Sequence, residues 1–291
     1  MAQRSLLVTG ASGQLGGEVV RRLVARGGDD VIIAGSREVG KLAGLDGVTP
    51  RRVDFDDDEA TLQAAFEGVD RALIISTDAL DRPGRRAEQH LRAIRAAKAA
   101  GVKHLLYTSL AKAADDSAIP IAQDHVLTER ALAASGLGHT VLRNNLYAEV
   151  LVGAVGHAVS SGQLITARGE GAIAYVTRSD CARAAAAALA SSFDGQRVLE
   201  ITGPEAVTGD QIAAMLTELS GRPVAHLPVP VEAYVQGLVQ AGLPEPYAQV
   251  YASFEVAAAR GELGEASGAV EALSGEAATP LRVALAGALK G

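Results

Sequence analysis

The chain of 291 residues has no tryptophan, 3% aromatic residues and one cysteine, Cys181. A single cysteine excludes a disulfide framework, and a lone thiol beside an alanine-rich helix reads as core packing. With so few aromatic rings, a stacking surface for a flat ligand can come from only a handful of positions. Positive charge is not concentrated anywhere: 27 Lys and Arg stand against 34 Asp and Glu, a formal net charge of -7. A nucleic-acid partner therefore has no electrostatic support. Arg85-Arg86 and Arg92-Arg95-Lys98 fall on a helix and read as a solvated face. No apolar stretch has the length of a membrane span; Ala184 to Ala190 is short and alanine is weakly hydrophobic. With no signal-like segment before the first strand, the expected location is the cytoplasm, away from membranes. His90, His104, His139, His157 and His226 show no spacing with acids or cysteine that suits a metal ion, so no metal site is expected.

What is present begins at Ser5. Leu6-Leu7-Val8 leads into Gly10-Ala11-Ser12-Gly13-Gln14-Leu15-Gly16, and a helix-compatible segment from Glu18 to Ala25 follows. Strand, G-x-x-G-x-x-G turn and helix, in that order, form the context of a dinucleotide-binding fingerprint. Gly10 permits the tight turn, Gly13 clears the approach of a pyrophosphate, and Gly16 lets the helix pack on the strand. Ser12, Gln14 and Leu15 line the same turn, where the helix N-terminus offers free N–H groups to phosphates. The second strand, Val31 to Ala34, ends in Gly35-Ser36-Arg37 with Lys41 beyond, and not in the acidic residue that takes the ribose 2′-OH of NAD. Asp29 and Asp30 precede the strand, at the wrong end to reach the ribose. A guanidinium at Arg37, with Lys41 and Ser36 nearby, suits a 2′-phosphate. The expected cofactor is NADP(H).

The composition, 48% hydrophobic and 21% charged, is that of a globular chain. Strand-like and helix-like segments alternate through its first two-thirds, with strands at Thr49–Phe55, Arg71–Ser76, His104–Ser109, Thr140–Arg143 and Arg197–Thr202. Helices are expected at Glu59–Gly68, Glu88–Ala100, Asp124–Ser135 and Leu146–Ser160. Repeated β-α units imply an α/β, Rossmann-type doubly wound parallel sheet. Beyond Tyr147 the pattern changes, and after Thr208 helices are separated by proline-rich loops around Pro223, Pro228, Pro230, Pro244 and Pro246. We expect residues 1–145, joined by 175–203, to form the NADP-binding unit. Residues 146–174 and 204–291 should form a smaller substrate lobe over the C-terminal edge of the sheet, where such folds bind ligands.

Several segments beyond the glycine turn are more specific. They are Ala99-Ala100-Gly101-Val102-Lys103-His104 running into Tyr107-Thr108-Ser109, Leu142-Arg143-Asn144-Asn145-Leu146-Tyr147, Val176-Thr177-Arg178-Ser179-Asp180 and Gly242-Leu243-Pro244-Glu245-Pro246. With them the chain resembles an atypical short-chain dehydrogenase/reductase of the NmrA-like type, in particular the bacterial NAD(P)H:quinone oxidoreductase and triphenylmethane reductase group. Ordinary members of that superfamily reduce carbonyls with a Tyr-x-x-x-Lys pair on the helix after the fifth strand, the tyrosine donating a proton to the forming alkoxide. In extended members a glutamate follows the lysine by four residues. Placing it at Glu129 puts His125 at the lysine position and Ile121 at the tyrosine position. Isoleucine donates no proton, so the usual carbonyl chemistry is not expected.

The resembling reductases lack the pair too. A quinone or a triarylmethyl cation takes hydride into a delocalised π-system, so catalysis rests on holding donor and acceptor together in a dry slot. The expected activity is NADPH-dependent hydride transfer to a quinone-like or polyaromatic acceptor. The competing reading is a regulator that senses NADP(H) without turnover. Strand ends supply the remaining candidates: Asp54 and Phe55 for adenine, Ser76 and Thr77 for the middle of the cofactor, and Thr108 for the nicotinamide ribose. Ser109, Asn144 and Tyr147 are assigned to the substrate, Tyr147 as a flat wall. His125 is expected to bond the ribose or give a proton to a hydroquinone oxygen. Arg143 is expected to make a structural ion pair. The partner is a small aromatic molecule, and the sequence leaves a homodimer open.

Overall fold

In the computed structural model, which describes residues 3–290, the strand run Leu6-Leu7-Val8 is fully buried and lies inside a seven-stranded parallel sheet. The strands are β1 (Ser5–Val8), β2 (Val31–Ser36), β3 (Thr49–Arg52), β4 (Arg71–Ile74), β5 (His104–Leu110), β6 (Gly138–Asn144) and a late strand, Gln196–Ile201. Their order is β3-β2-β1-β4-β5-β6 followed by the late strand. Near-continuous Val, Ile and Leu runs suit strands covered on both faces. The covering helices are α1 (Gln14–Arg26), α2 (Glu59–Phe66), α3 (Arg85–Ala99) and α4 (Ala122–Ala134). The sixth strand is longer at both ends than its apolar core Thr140–Arg143 suggests, because it pairs on both sides along its length.

After β6 come α5 (Ala148–Ser161), β7 (Gln163–Thr166), β8 (Ala172–Ile173), α6 (Arg178–Ala190), β9 (the late strand Gln196–Ile201), β10 (Val207–Thr208) and α7 (Gly209–Ser220). The chain ends with β11 (Ala225–Pro228), α8 (Val231–Gln240), α9 (Glu245–Ala259), α10 (Ala269–Ser274) and α11 (Leu281–Ala288). The alanine-rich α6 packs on α1, its small side chains allowing close approach. Its C-terminal carbonyls are tied down by cations: Arg71 donates to Leu189 O at 2.8 Å and Arg4 to Ala190 O at 2.8 Å.

Two short sheets, β7 with β11 and β8 with β10, lie outside the large one. The strand β11 falls where the proline content read as loop. Pro228 closes it at the last register position, opposite Thr166, so the missing N–H interrupts no ladder. Helix α10, short and unheralded, buries Val270 against α6. A buried ion pair, Arg168 with Glu255 at 2.8 Å, joins the segment after β7 to α9, and Tyr175 OH accepts a further bond from Arg168 at 2.7 Å. No helix among the described residues is long and apolar enough to cross a membrane.

Candidate functional site

The glycine turn follows β1, beside the crevice where the strand order reverses between β1 and β4. Its three glycines are required for different reasons. Gly10 has φ +62°, a left-handed conformation that a side chain strains. A Cβ on Gly16 would stand 2.3 Å from the Gly10 carbonyl oxygen, so the helix could not approach the turn. Gly13 answers to neither constraint: its φ is −86° and its Cβ would lie 3.3 Å from the Gly10 oxygen, tight but tolerable. What remains is the space above it. Ser12, Gly13 and Gln14 are exposed while Leu15 and Gly16 are buried, and Gly13 caps α1 without a side-chain bond. The first N–H groups of α1 are thus left for an anion, which fits the pyrophosphate of a dinucleotide.

The end of β2 is bonded to this turn. Ala11 N–H donates to Gly35 O at 2.8 Å and Ser36 Oγ to Ser12 Oγ at 2.9 Å. Ser36, expected to reach a 2′-phosphate, is buried with its hydroxyl proton given to Ser12. Arg37 is exposed beside it, and Lys41 is exposed in a 3₁₀ turn, paired with Glu38 at 2.6 Å. Asp54, half-buried beyond β3, accepts from Asp56 N and pairs with Arg52. Phe55, expected at the adenine, is buried in the cluster that holds Leu62 and Phe66, just beyond the end of β3 at Arg52.

At the ends of β4 and β5, Ser76 N–H donates to Thr108 Oγ1 at 2.9 Å, and Thr108 lies next to Ser76 Oγ at 3.3 Å. Thr77 is held on all sides by α3. Its N–H donates to His90 Nε2 (3.0 Å), its hydroxyl to Gln89 Oε1 (2.7 Å), and its carbonyl accepts from Arg86 Nε (2.7 Å). Its hydroxyl is thus bonded to α3 while the residue is half-buried. Arg86 is 5% exposed, which corrects its reading as part of a solvated face. Residues 86, 89 and 90 share one helix face, and that i, i+3, i+4 spacing was the available signal for the clamp.

The same network fixes the state of His125. An arginine only donates, so Arg86 Nη2 at 3.2 Å makes His125 Nε2 an acceptor, and its Nδ1–H donates to Tyr107 OH at 2.7 Å. The Thr77 N–H likewise makes His90 Nε2 an acceptor, leaving its Nδ1–H toward Thr128 Oγ1 at 3.1 Å. Burial, reinforced by the Arg86 charge, pushes His90 down to about 3 and His125 well below the ordinary histidine range. At 3% exposure and bonded at both nitrogens, His125 sits in an interior network, its ring N–H already given to Tyr107.

At the end of β6, Asn144 Nδ2 donates to the Tyr147 hydroxyl at 3.2 Å. Tyr147 is half-buried, with the Arg178 guanidinium 5.1 Å from its ring centroid. Burial pushes its phenol above the usual range, so it stays protonated. Asn145 is buried and bonded to Leu263 O at 3.0 Å. Ser109 points to the opposite side of β5 from Thr108 and donates to Glu129 Oε1 at 2.6 Å. Its hydroxyl joins an ion-pair cluster in which Arg143 binds Glu129 (2.6 Å) and Glu200 (3.2 Å).

A family model described as the NmrA-like family matches residues 2–281. The chain belongs to the NmrA-like family. This NmrA-like chain is 38% identical over 278 residues to quinone oxidoreductase 2 of Escherichia coli, covering 95% of this chain and 96% of that one. Its fold superposes on the NADPH complex of the E. coli NADPH-dependent quinone oxidoreductase with a TM-score of 0.91, at 37% identity, covering 97% and 99% of the two chains. It superposes equally on the Citrobacter sp. triphenylmethane reductase complexed with NADP(H), TM-score 0.91, at 36% identity, covering 98% and 100%. In the NmrA-like site described here, α4 brings no proton donor to the place of the usual tyrosine: Ile121 packs against an apolar cluster, and Glu129 is held by Arg143.

Proposed function

We propose that this chain is an NADPH-dependent reductase that delivers hydride to a quinone-like or polyaromatic acceptor, with no Tyr-Lys pair. The observation that carries this reading is the pairing of a phosphate-ready glycine turn with Ile121, packed in an apolar cluster at the start of α4, where a Tyr-Lys enzyme would place its tyrosine. The turn argues for a dinucleotide, and the missing Tyr-Lys pair argues for an acceptor that does not need it. The relatives named above, quinone and triphenylmethane reductases with NADPH or NADP(H) bound, support both halves.

When bound, NADPH supplies the hydride. The chain's own part is to bind and orient: Gly10, Ser12, Gly13, Gln14 and the Leu15 N–H at the pyrophosphate, Arg37 and Lys41 at the 2′-phosphate, Asp54 toward adenine, Ser76 and Thr108 below the nicotinamide ribose. Asn144 and Tyr147 form the wall for a flat acceptor. A quinone takes one hydride and one proton, and the proton comes from water, since charge on the acceptor is spread over the ring. We assign residues 1–145 and 175–203 to cofactor binding and 146–174 with 204–291 to the acceptor, in the cytoplasm where NADPH is supplied.

Two variants test the assignments. Arg37→Ala should raise the NADPH dissociation constant about tenfold, the loss of one charge-assisted contact, and leave NADH within twofold. Tyr147→Phe should retain turnover within about threefold, while Tyr147→Ala should raise KM about tenfold. Equal losses in the two Tyr147 variants would instead make the hydroxyl the working group. The deciding assay follows NADPH oxidation by absorbance with menadione, benzoquinone and malachite green as acceptors. Saturable turnover supports the reductase. Tight NADPH binding with no turnover against any acceptor would overturn it in favour of an NADP(H) sensor.

A further inference from the structure

One turn beside the glycine cradle carries both of the chemistries by which such folds read the ribose. Ser36 Oγ, bonded to Ser12, also accepts the Glu38 N–H at 3.2 Å, so the residues after β2 rise directly from the phosphate turn. Glu38 then caps the 3₁₀ turn Val39–Leu42, and its Oε1 meets Lys41 Nζ at 2.6 Å. Arg37 stands beside it, exposed. Basic groups in this place recognise a 2′-phosphate, whereas a carboxylate accepts the hydrogen bonds of a free ribose diol. The end of β2 itself holds no acid, but Glu38 is exposed two residues beyond it.

We infer that Glu38 is a second coenzyme determinant, which lowers selectivity for NADPH by offering NADH a carboxylate. This rests on the proposed dinucleotide site. Glu38 and Lys41 are each about two-thirds exposed (66% and 62%), and an exposed pair of this kind is held weakly. Either ligand therefore exchanges it readily. A 2′-phosphate, with close to two negative charges, draws Lys41 and Arg37 and leaves Glu38 as an unpartnered like charge at the edge of the site. A free diol draws Glu38 from Lys41 and gains two acceptor oxygens. Lys41 thus favours NADPH by contacting the phosphate, and Glu38 opposes it.

The test is calorimetric titration of NADPH and NADH into wild type, Glu38→Gln and Lys41→Ala, with 2′,5′-ADP and 5′-ADP as probes lacking nicotinamide. Both side chains are on the surface, so the variants should melt within a degree or two of wild type. Glu38→Gln is expected to tighten NADPH and 2′,5′-ADP about threefold and to weaken NADH about tenfold. Lys41→Ala is expected to weaken NADPH and 2′,5′-ADP about tenfold with NADH within twofold. If Glu38→Gln leaves NADH affinity within twofold of wild type, Glu38 is only a solvated ion pair and the inference is overturned. Wild type that binds neither dinucleotide would instead overturn the cofactor site itself.

Discussion

Gly16→Ala is expected to lose dinucleotide binding and fold stability together, whereas Gly13→Ala loses binding alone. The added Cβ at Gly16 would sit 2.3 Å from the Gly10 oxygen, 2.7 Å from the Gly10 carbonyl carbon and 3.0 Å from the Ala11 Cα. All three are backbone atoms, so no side chain can rotate away, and α1 must move off the turn by about an ångström. Overpacking against such rigid neighbours costs about 3 kcal/mol, the upper part of the usual range. The same movement carries the helix N–H groups away from the phosphates, and a comparable loss of binding free energy is about a hundredfold in Kd. At Gly13 the backbone is extended and the nearest atom is 3.3 Å away, so alanine should cost under about 1 kcal/mol of stability. Its methyl group instead occupies the approach of the pyrophosphate. Urea unfolding and NADPH titration on both variants separate the effects. Wild-type NADPH affinity in Gly13→Ala would mean that the phosphates do not cross that residue.

The fold was legible because its signals are local. The burial of Leu6-Leu7-Val8 and Leu105-Leu106-Tyr107 follows from uninterrupted apolar runs, and the turn residues from their spacing. Arg143 was read as a structural ion pair, and that is where it lies, between Glu129 and Glu200. The site was less legible, because a strand end does not state which way a side chain faces once helices pack on it. Thr108 and Ser109 are neighbours in sequence, yet one bonds Ser76 and the other Glu129 on the other side of the sheet. Thr77 and His125 were placed near the ligand by topology, but the interior cation Arg86 draws both inward. A charged side chain inside a helix is read as solvated by default, since burial of arginine is rare. Here the cost is offset by the Thr77 carbonyl and His125 Nε2, partners 9 and 39 residues away.

Those buried histidines lead to the other large expected effect, a steep loss of stability in mild acid. His90, His104 and His125 are all within 3% of complete burial. Burial first, then nearby arginines, pushes His90 down to about 3, His104 to about 4 and His125 well below its usual value of 6.5. For a base with a depressed native pKa, the unfolded chain binds more protons than the native protein at every pH between the two values. The stability these groups contribute is therefore complete above pH ~6.5, the unfolded pKa, and is lost as pH falls toward about 4 and then 3. Each histidine contributes a slope of about 1.4 kcal/mol per pH unit, so the three together reach about 4 kcal/mol per unit below pH ~6. Asp124 and Glu200, whose carboxyls burial pushes up, act in the opposite sense and soften the slope toward lower pH. Urea midpoints measured from pH 7.5 to 5 should fall accordingly, while ordinary carboxylates are still ionised. His90→Gln keeps an acceptor for the Thr77 N–H but cannot ionise, so it should be less stable at neutral pH yet flatten the slope by about a third. His104→Gln, at the opposite end of β5, should flatten it by a similar amount without altering NADPH binding. A wild-type slope in both variants would show that these imidazoles do not remain neutral in the native protein.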